Sequence, residues 1–324
     1  MASGSRFTSK SAQQPVRTAP RKLRVGVLGW MSSTDMQFSY CADLLFYLTE
    51  RAAAEGVDIE MMGAGPTPIG TTLPFPPLED VLKQKFDGII SNGIWEEPYI
   101  GELHKTGVPL VSVDFQPRGS PVDTVIFSGQ QGGKLAAQAF IDTGQRSIMV
   151  VSRYRVDLAL AKGAEPWVED DTAMDRRMAL QGALMGTGIE VWPIVPYGLG
   201  VQDKNAEEVE KRVVRLLQSI GGPPSAVFAT DGDIALAVGK LLTKLGYRVP
   251  EEIGMISFDA PTQIQQSGSF PYSSVSYNWR EMGSAGWDLL MKRIKVKRER
   301  GDQPELIELP GKFTDRGSLP MRPK

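Results

Sequence analysis

Histidine and cysteine are nearly absent from this chain of 324 residues, which has one of each, His104 and Cys41. A single cysteine excludes an internal disulfide framework, and one histidine leaves no material for a His/Cys metal cluster. A Ser-His-Asp or Cys-His hydrolase would have to use His104, which sits near the end of a short predicted helix with no nucleophile close in sequence. It reads as a helix-end residue favoured by the helix dipole. Cys41 reads as a small buried hydrophobe of the first helix. Phosphate loops are missing as well: Gly26-Val27-Leu28-Gly29 after the first strand is neither GxGxxG nor GxxxxGK[ST]. No apolar run approaches the roughly 18 residues that a membrane span needs. The opening residues lack the apolar centre of a secretion signal, so the chain is expected to be cytoplasmic. Adjacent acids occur at Glu96-Glu97 and Glu169-Asp170-Asp171, and both read as solvated loop surface rather than a glycosidase pair. Asp231 and Asp233 are conceivable oxygen ligands, but the twelve-residue calcium-loop pattern is not there. No metal, no cofactor and no catalytic residue is expected.

Net charge is small too. Lys plus Arg is 36 against 38 acids, a net of −2. Residues 1–22 hold five basic residues, Arg6, Lys10, Arg17, Arg21 and Lys22, and no acid, so the body carries about −7. A body of that sign does not attract nucleic acid or an anionic membrane, and residues 1–22 are expected to be a disordered basic leader.

What the chain does have is alternation. The most informative stretch, Pro223 to Pro261, reads as strand Ser225–Ala229, helix Ile234–Leu245 closed by Gly246, and strand Ile253–Phe258. Ligands of parallel α/β sheets bind beyond the carboxyl ends of the strands, which places Thr230, Asp231, Asp233 and Asp259 where a small polar molecule would sit. Upstream, strands are expected at Leu23–Leu28, Val57–Met62, Asp87–Ser91, Val108–Val113, Ser147–Ser152 and Glu190–Val195, with Gly63–Pro77 a loop. Helices are expected at Ser39–Glu55, Leu78–Lys85, Tyr99–Thr106, Gln131–Thr143, Thr172–Met185 and Ala206–Ile220. The pattern predicts two α/β halves of about five strands each with a cleft between them. The last part, Val275–Tyr277, a helix Trp279–Lys297 and Leu306–Leu309, is expected to cross back to the first half and finish on the second.

Four segments carry a resemblance: GVPLVSVDF (107–115), VIFSGQQGGKLAAQAFIDTGQRSIMVV (125–151), SAVFATDGDIALAVGKLLTKLGYRVPEEIGMISFDAP (225–261) and VSYNWREMGSAGWDLL (275–290). In order and spacing they resemble the lactose-repressor and galactose-repressor (LacI-type) family of bacterial regulators, over about Leu23 to Ser318. The resemblance implies a type I periplasmic-binding-protein-like fold, two Rossmann-like lobes with parallel sheets joined by three crossovers near Phe127–Gly129, Val275–Arg280 and Leu309–Lys312. The implied lobes are 23–127 plus 280–309 and 128–279 plus 310–324. It also implies a ligand-contacting arginine at the start of a helix, which Arg176 matches best with Ala179 three positions on; Arg177 is the competing assignment. The family's ligand aspartate matches Asp259, and its polar residue on the preceding strand corresponds to Thr230, beside Asp231.

An arginine fork can donate to two vicinal hydroxyls while a carboxylate accepts from others. Trp30, Trp95 and Phe127 are candidates to stack on a sugar ring. Asn278 either faces the ligand or caps the helix that begins at Trp279, and Asp114 either accepts from a ligand or serves the strand end. The implied function is the small-molecule, most simply sugar, sensing core of a transcription regulator that works as a homodimer. Only 22 residues precede the first strand and none of them reads as a recognition helix, so DNA contact is expected only through a segment missing from this chain. The alternative is a cytoplasmic carbohydrate-binding module that never touches DNA.

Overall fold

In the computed structural model of the chain, residues 21–29, 41–63, 65–66, 72–73, 75–94, 96–156, 167–198, 202–259, 270–296 and 303–322 are described. The first part runs β1 (Arg24–Gly29), α1 (Cys41–Glu55), β2 (Asp58–Met62), the short antiparallel pair β3 (Gly65–Pro66) and β4 (Thr72–Leu73), α2 (Leu78–Gln84), β5 (Gly88–Asn92), α3 (Glu97–Lys105), β6 (Leu110–Val113) and β7 (Asp123–Phe127). The second runs α4 (Gly129–Asp142), β8 (Ser147–Val156), β9 (Trp167–Glu169), α5 (Asp171–Leu184), β10 (Glu190–Val191), β11 (Val195–Gly198), α6 (Gln202–Ile220), β12 (Ala226–Ala229), α7 (Gly232–Lys244), β13 (Gly254–Phe258) and β14 (Ser273–Ser276). Three elements follow: α8 (Trp279–Lys295), β15 (Leu306–Leu309) and β16 (Lys312–Thr314).

Period-two burial builds each lobe. In β8, Ile148 and Val150 point to one face with Phe228 and Phe140, while Met149 and Val151 point to the other with Val213 and Val238. Apolar residues on both faces are what a sheet covered by helices on both sides requires. Each fully buried aliphatic side chain contributes about 1.5–3 kcal/mol of transfer free energy. In the first lobe, Val27, Ile90 and Val111 meet Leu44, Leu48 and Leu290, and Phe86, Ile100 and Leu103 form the opposite layer.

The first sheet has the order β15-β7-β6-β5-β1-β2 and every pairing in it is parallel. The second has the order β10-β8-β12-β13-β14-β16 with β9 and β11 also on β8. The chain passes between the sheets three times, from Phe127 to Gly129, from Ser276 to Trp279 and from Leu309 to Lys312. Helix α8 leaves β14 and returns to the first sheet. A Cβ on Gly88 of β5 would lie 2.8 Å from Ile294 Cδ1, so glycine is what lets α8 approach there. Asp123, buried at the start of β7, accepts a two-point fork from Arg293 of α8 (2.6 and 3.1 Å) and the Glu305 N–H (2.7 Å), tying α8, β7 and the entry to β15 together.

Several sequence expectations change. The stretch expected as one strand, Glu190–Val195, is two pieces that both pair in parallel with β8. Three residues, 192–194, stand opposite two on β8, and Pro193 has no N–H to give the ladder: this is a bulge. Strand β8 runs on to Val156 because β9 pairs with it antiparallel, and β16 pairs antiparallel with β14, so the second sheet is mixed. Both sheets exceed five strands because β7, β15 and β16, together with the short edge pieces, join them.

Candidate functional site

The two lobes present the same local device at the sheet tips that face the cleft. Strand β6 ends in Ser112-Val113-Asp114 and β13 in Ser257-Phe258-Asp259. Both aspartates sit in the left-handed region, φ 65° and 51°, which short polar side chains enter more readily than others. Each donates its backbone N–H to a valine carbonyl on the neighbouring strand, Asp114 to Val125 (3.0 Å) and Asp259 to Val275 (2.8 Å). Each serine hydroxyl ties down the turn beyond, Ser112 on the Phe115 carbonyl (2.6 Å) and Ser257 on the Asp259 carbonyl (2.8 Å). Two residues past those valines stand Phe127 and Tyr277, then the helix caps Ser128 and Asn278.

Between the tips lies Arg176, in the second turn of α5. That helix is started by Asp170, whose carboxylate accepts from the N–H groups of Thr172 (3.0 Å) and Ala173 (3.2 Å). It packs closely on α4 because Gly133 has no side chain: a Cβ there would lie 2.4 Å from the Arg176 carbonyl oxygen. The guanidinium donates from Nη1 to the Thr230 carbonyl (2.9 Å) and lies 4.7 Å from the Phe258 ring centroid and 5.7 Å from that of Tyr277. Burial works against its charge, but Tyr277, Asp259, Asp114 and Asp170 outweigh that and hold its pKa above the ordinary value. Burial pushes the Asp259 carboxyl up to about 6, opposed by Arg176, by the Tyr277 N–H on its Oδ1 (3.3 Å) and by Arg153.

A pocket opens here, walled by Asp114, Phe115, Gln116 and Arg118 from the first lobe, by Ile126, Phe127 and Gly129 at the first crossing, and by Asp171, Thr172, Asp175 and Arg176 from α5. Arg176, Asp114 and Phe127 thus line one space, and Asp259 adjoins it through Arg176 and Tyr277. Arg177, the competing arginine, is taken by a bidentate pair with Glu169 (2.7 and 2.6 Å) and by Gln181, so Arg176 is the arginine at the cleft.

Thr230 is fully buried, and its hydroxyl accepts the Arg153 N–H (2.9 Å), so it offers the cleft its carbonyl rather than its side chain. Asp231 caps α7 through the Asp233 N–H (2.9 Å) and forms an ion pair with Arg153. Asp233 is exposed. Asn278 caps α8, accepting the Glu281 N–H (3.3 Å), and is exposed. Trp30 and Trp95 lie outside the described residues, as does the side chain of Cys41. His104 is in the last turn of α3. Two more of the acids read as solvated surface are structural besides Asp170: Glu169 also accepts the Ser152 hydroxyl (2.6 Å), and Glu97 accepts the backbone N–H groups of Arg118 (2.5 Å) and Gly119 (3.1 Å), holding the loop that lines the pocket.

Residues missed from the sequence are Tyr277, Arg153, Arg118 and Asp175, whose carboxyl is raised by burial against the nearby Arg118 charge. Tyr277 was within reach, since it holds the same place after Val275 that Phe127 holds after Val125. At the tip of β5, Ser91 is fully buried and its hydroxyl has no hydrogen-bond partner. Among the described residues there is no group of three His, Cys, Asp or Glu that could hold a metal ion. The cleft therefore presents a guanidinium, carboxylates at facing sheet tips and flat aromatic faces, a set suited to hydrogen-bonding a small polar molecule.

Fold and cleft together define a two-lobed binding protein of the type I periplasmic kind. Residues 137–319, more than half of the chain, match the family described as periplasmic binding protein-like domain. The chain belongs to that family, and its fold is the one found in LacI-type regulators of solved structure.

It is 27% identical over 224 residues to the HTH-type transcriptional repressor PurR of Aliivibrio salmonicida, covering 68% of this chain and 61% of that protein. Against PurR of Photobacterium profundum it is 24% identical over 210 residues, 63% of this chain and 57% of that one. The chain spans about three fifths of the length of these curated relatives. A LacI transcriptional regulator from Bacillus cereus subsp. cytotoxis shares the fold with a TM-score of 0.71 at 20% identity, covering 93% of this chain and 100% of that one. A LacI family regulator from Enterococcus faecium with bound ribose gives 0.68 at 18% identity, covering 93% and 100%. The transcriptional regulator CelR in complex with cellobiose gives 0.70 at 20%, covering 93% and 86%. No helix among the described residues is long and apolar enough to cross a membrane.

Proposed function

We propose that the chain senses a sugar or related polyol in the cleft between its lobes, 23–127 with 280–309 and 128–279 with 310–324, as the effector core of a dimeric transcription regulator. The observation that carries this reading is Arg176, set between Asp114 and Asp259 and beside the crossings, where a ligand would touch both lobes at once. Ribose and cellobiose in the Enterococcus and CelR structures, and the repressor names of the curated relatives, support the ligand class and the regulatory role. A ligand can shift lobe angle only as far as it binds one arrangement better than the other, and contacts from both lobes supply that difference.

The test is a thermal-shift screen of pentoses, hexoses, disaccharides and purines, repeated on Arg176→Ala. Binding at one hundred times Kd stabilises by about 2.7 kcal/mol. A hit lost in the variant supports the reading, whereas a sugar that shifts both proteins equally places its site elsewhere.

A further inference from the structure

All three crossings bear on one ring, that of Tyr277. The residue itself lies on the second crossing. Its ring stacks on Phe127 of the first, with centroids 4.1 Å apart and planes at 9°. Its hydroxyl reaches the Ser128 carbonyl (3.4 Å). On the third crossing, Gly311 leaves room for the ring, since a Cβ there would lie 2.7 Å from Tyr277 Cε1. Gln131 of α4 holds Gly311 in place at both backbone groups (2.9 and 3.2 Å), and Gly132 beside it leaves space for the hydroxyl, 2.8 Å from where its Cβ would be.

The same residue touches both charged groups of the cleft. Its N–H donates to Asp259, and its ring, 5.9 Å from that of Phe258, completes the aromatic surface under the Arg176 guanidinium. The guanidinium donates from Nη1 to the Thr230 carbonyl and hydrogen-bonds the Tyr277 hydroxyl, while its buried Nε has no hydrogen-bond partner, so Tyr277 and the Phe258 ring are much of what sets its plane. Phe258 belongs to the second sheet, whereas Tyr277 is stacked on the end of a first-sheet strand. Tyr277 is thus held by both lobes, by its N–H on Asp259 and by its stack on Phe127, so it stands where a change of lobe angle is felt at the Arg176 platform.

We infer that Tyr277 is a positioning residue that couples lobe angle to the aim of Arg176, so that the cleft arginine is presented correctly at one lobe arrangement only. This rests on the reading of Arg176 as a ligand residue and adds the part that links it to the hinge.

The experiment is NMR of the full chain labelled on arginine, without ligand, with the Arg176 side-chain resonance assigned by its loss in Arg176→Lys. Stacking on two rings shifts that resonance away from the values of exposed arginines. In Tyr277→Phe, which keeps the ring, more than half of the displacement is expected to remain; in Tyr277→Leu more than half is expected to vanish. Phe127→Leu, in the other lobe, is the coupling test and stands even where Tyr277→Leu does not fold: it is expected to move the Arg176 resonance as well. An Arg176 signal unchanged in Phe127→Leu, or lost equally in Tyr277→Phe and Tyr277→Leu, overturns the inference. Failure of every sugar to bind the wild type overturns the proposed function and leaves these outcomes readable.

Discussion

Asp259 shows how a carboxylate proposed to bind ligand burdens the fold that carries it. Its carboxyl is pushed up to about 6 by burial, so between pH 4 and 6 the native state holds more protons than the unfolded chain. Stability should therefore fall as pH rises through that window and remain lower above it. Asp259→Asn cannot ionise and can still accept the Tyr277 N–H. It is expected to be more stable than wild type at pH 7, by at most about 3 kcal/mol, and equal to it below pH 4, as read by urea unfolding at several pH values. The same variant should bind sugar at least tenfold more weakly, and wild-type affinity should decline below pH 6 as the acceptor is protonated. Thr230→Val is a contrasting case. It removes a buried acceptor from the Arg153 N–H and should cost about 1–3 kcal/mol. A loss of stability without a comparable loss of ligand shift would show that Thr230 serves the cleft through its backbone.

At the level of elements, the site depends on how closely α4 and α5 meet. Gly132 faces the Phe258 ring, which a Cβ would approach to 2.6 Å, and the Tyr277 hydroxyl. Gly132→Ala is expected to destabilise by about 1–3 kcal/mol through overpacking and to weaken ligand binding as well, because it pushes on the ring beneath Arg176. Asp170→Ala removes the cap of α5 and should cost about 1 kcal/mol by thermal unfolding, with a smaller effect on affinity. The order of these elements was legible from periodicity, and their boundaries mostly fell within a few residues: Trp279–Lys297 was expected for the helix observed as Trp279–Lys295. The β10/β11 bulge was not, because apolar content on either side of Pro193 cannot show that three residues stand opposite two.

For the whole molecule, the return of α8 to the first lobe is fastened by a nearly water-free ion pair, with Arg293 side chain 14% and Asp123 3% exposed. Removing one partner leaves the other charge buried, so Asp123→Ala should lose about 3–5 kcal/mol. Arg293→Met with Asp123→Leu together should recover much of it, measured by urea unfolding. A double variant no better than Asp123→Ala would mean that the Glu305 N–H, not the charge pair, is what Asp123 serves.

Composition and periodicity by themselves pointed to an α/β protein of two halves. With one histidine, one cysteine and no phosphate loop, its strand-helix alternation predicts two covered sheets with polar groups at their tips. Asp259 and Asp114 could be named because strand ends are local features, whereas Arg176 was named from the family resemblance. Only tertiary structure decided which of two adjacent arginines faces the cleft. A helix turns about 100° per residue, so Arg176 and Arg177 point to different neighbours, and Glu169 takes the second. Tertiary structure also decided the place of Tyr277, since three crossings far apart in the chain converge on its ring, and no window of sequence contains that meeting.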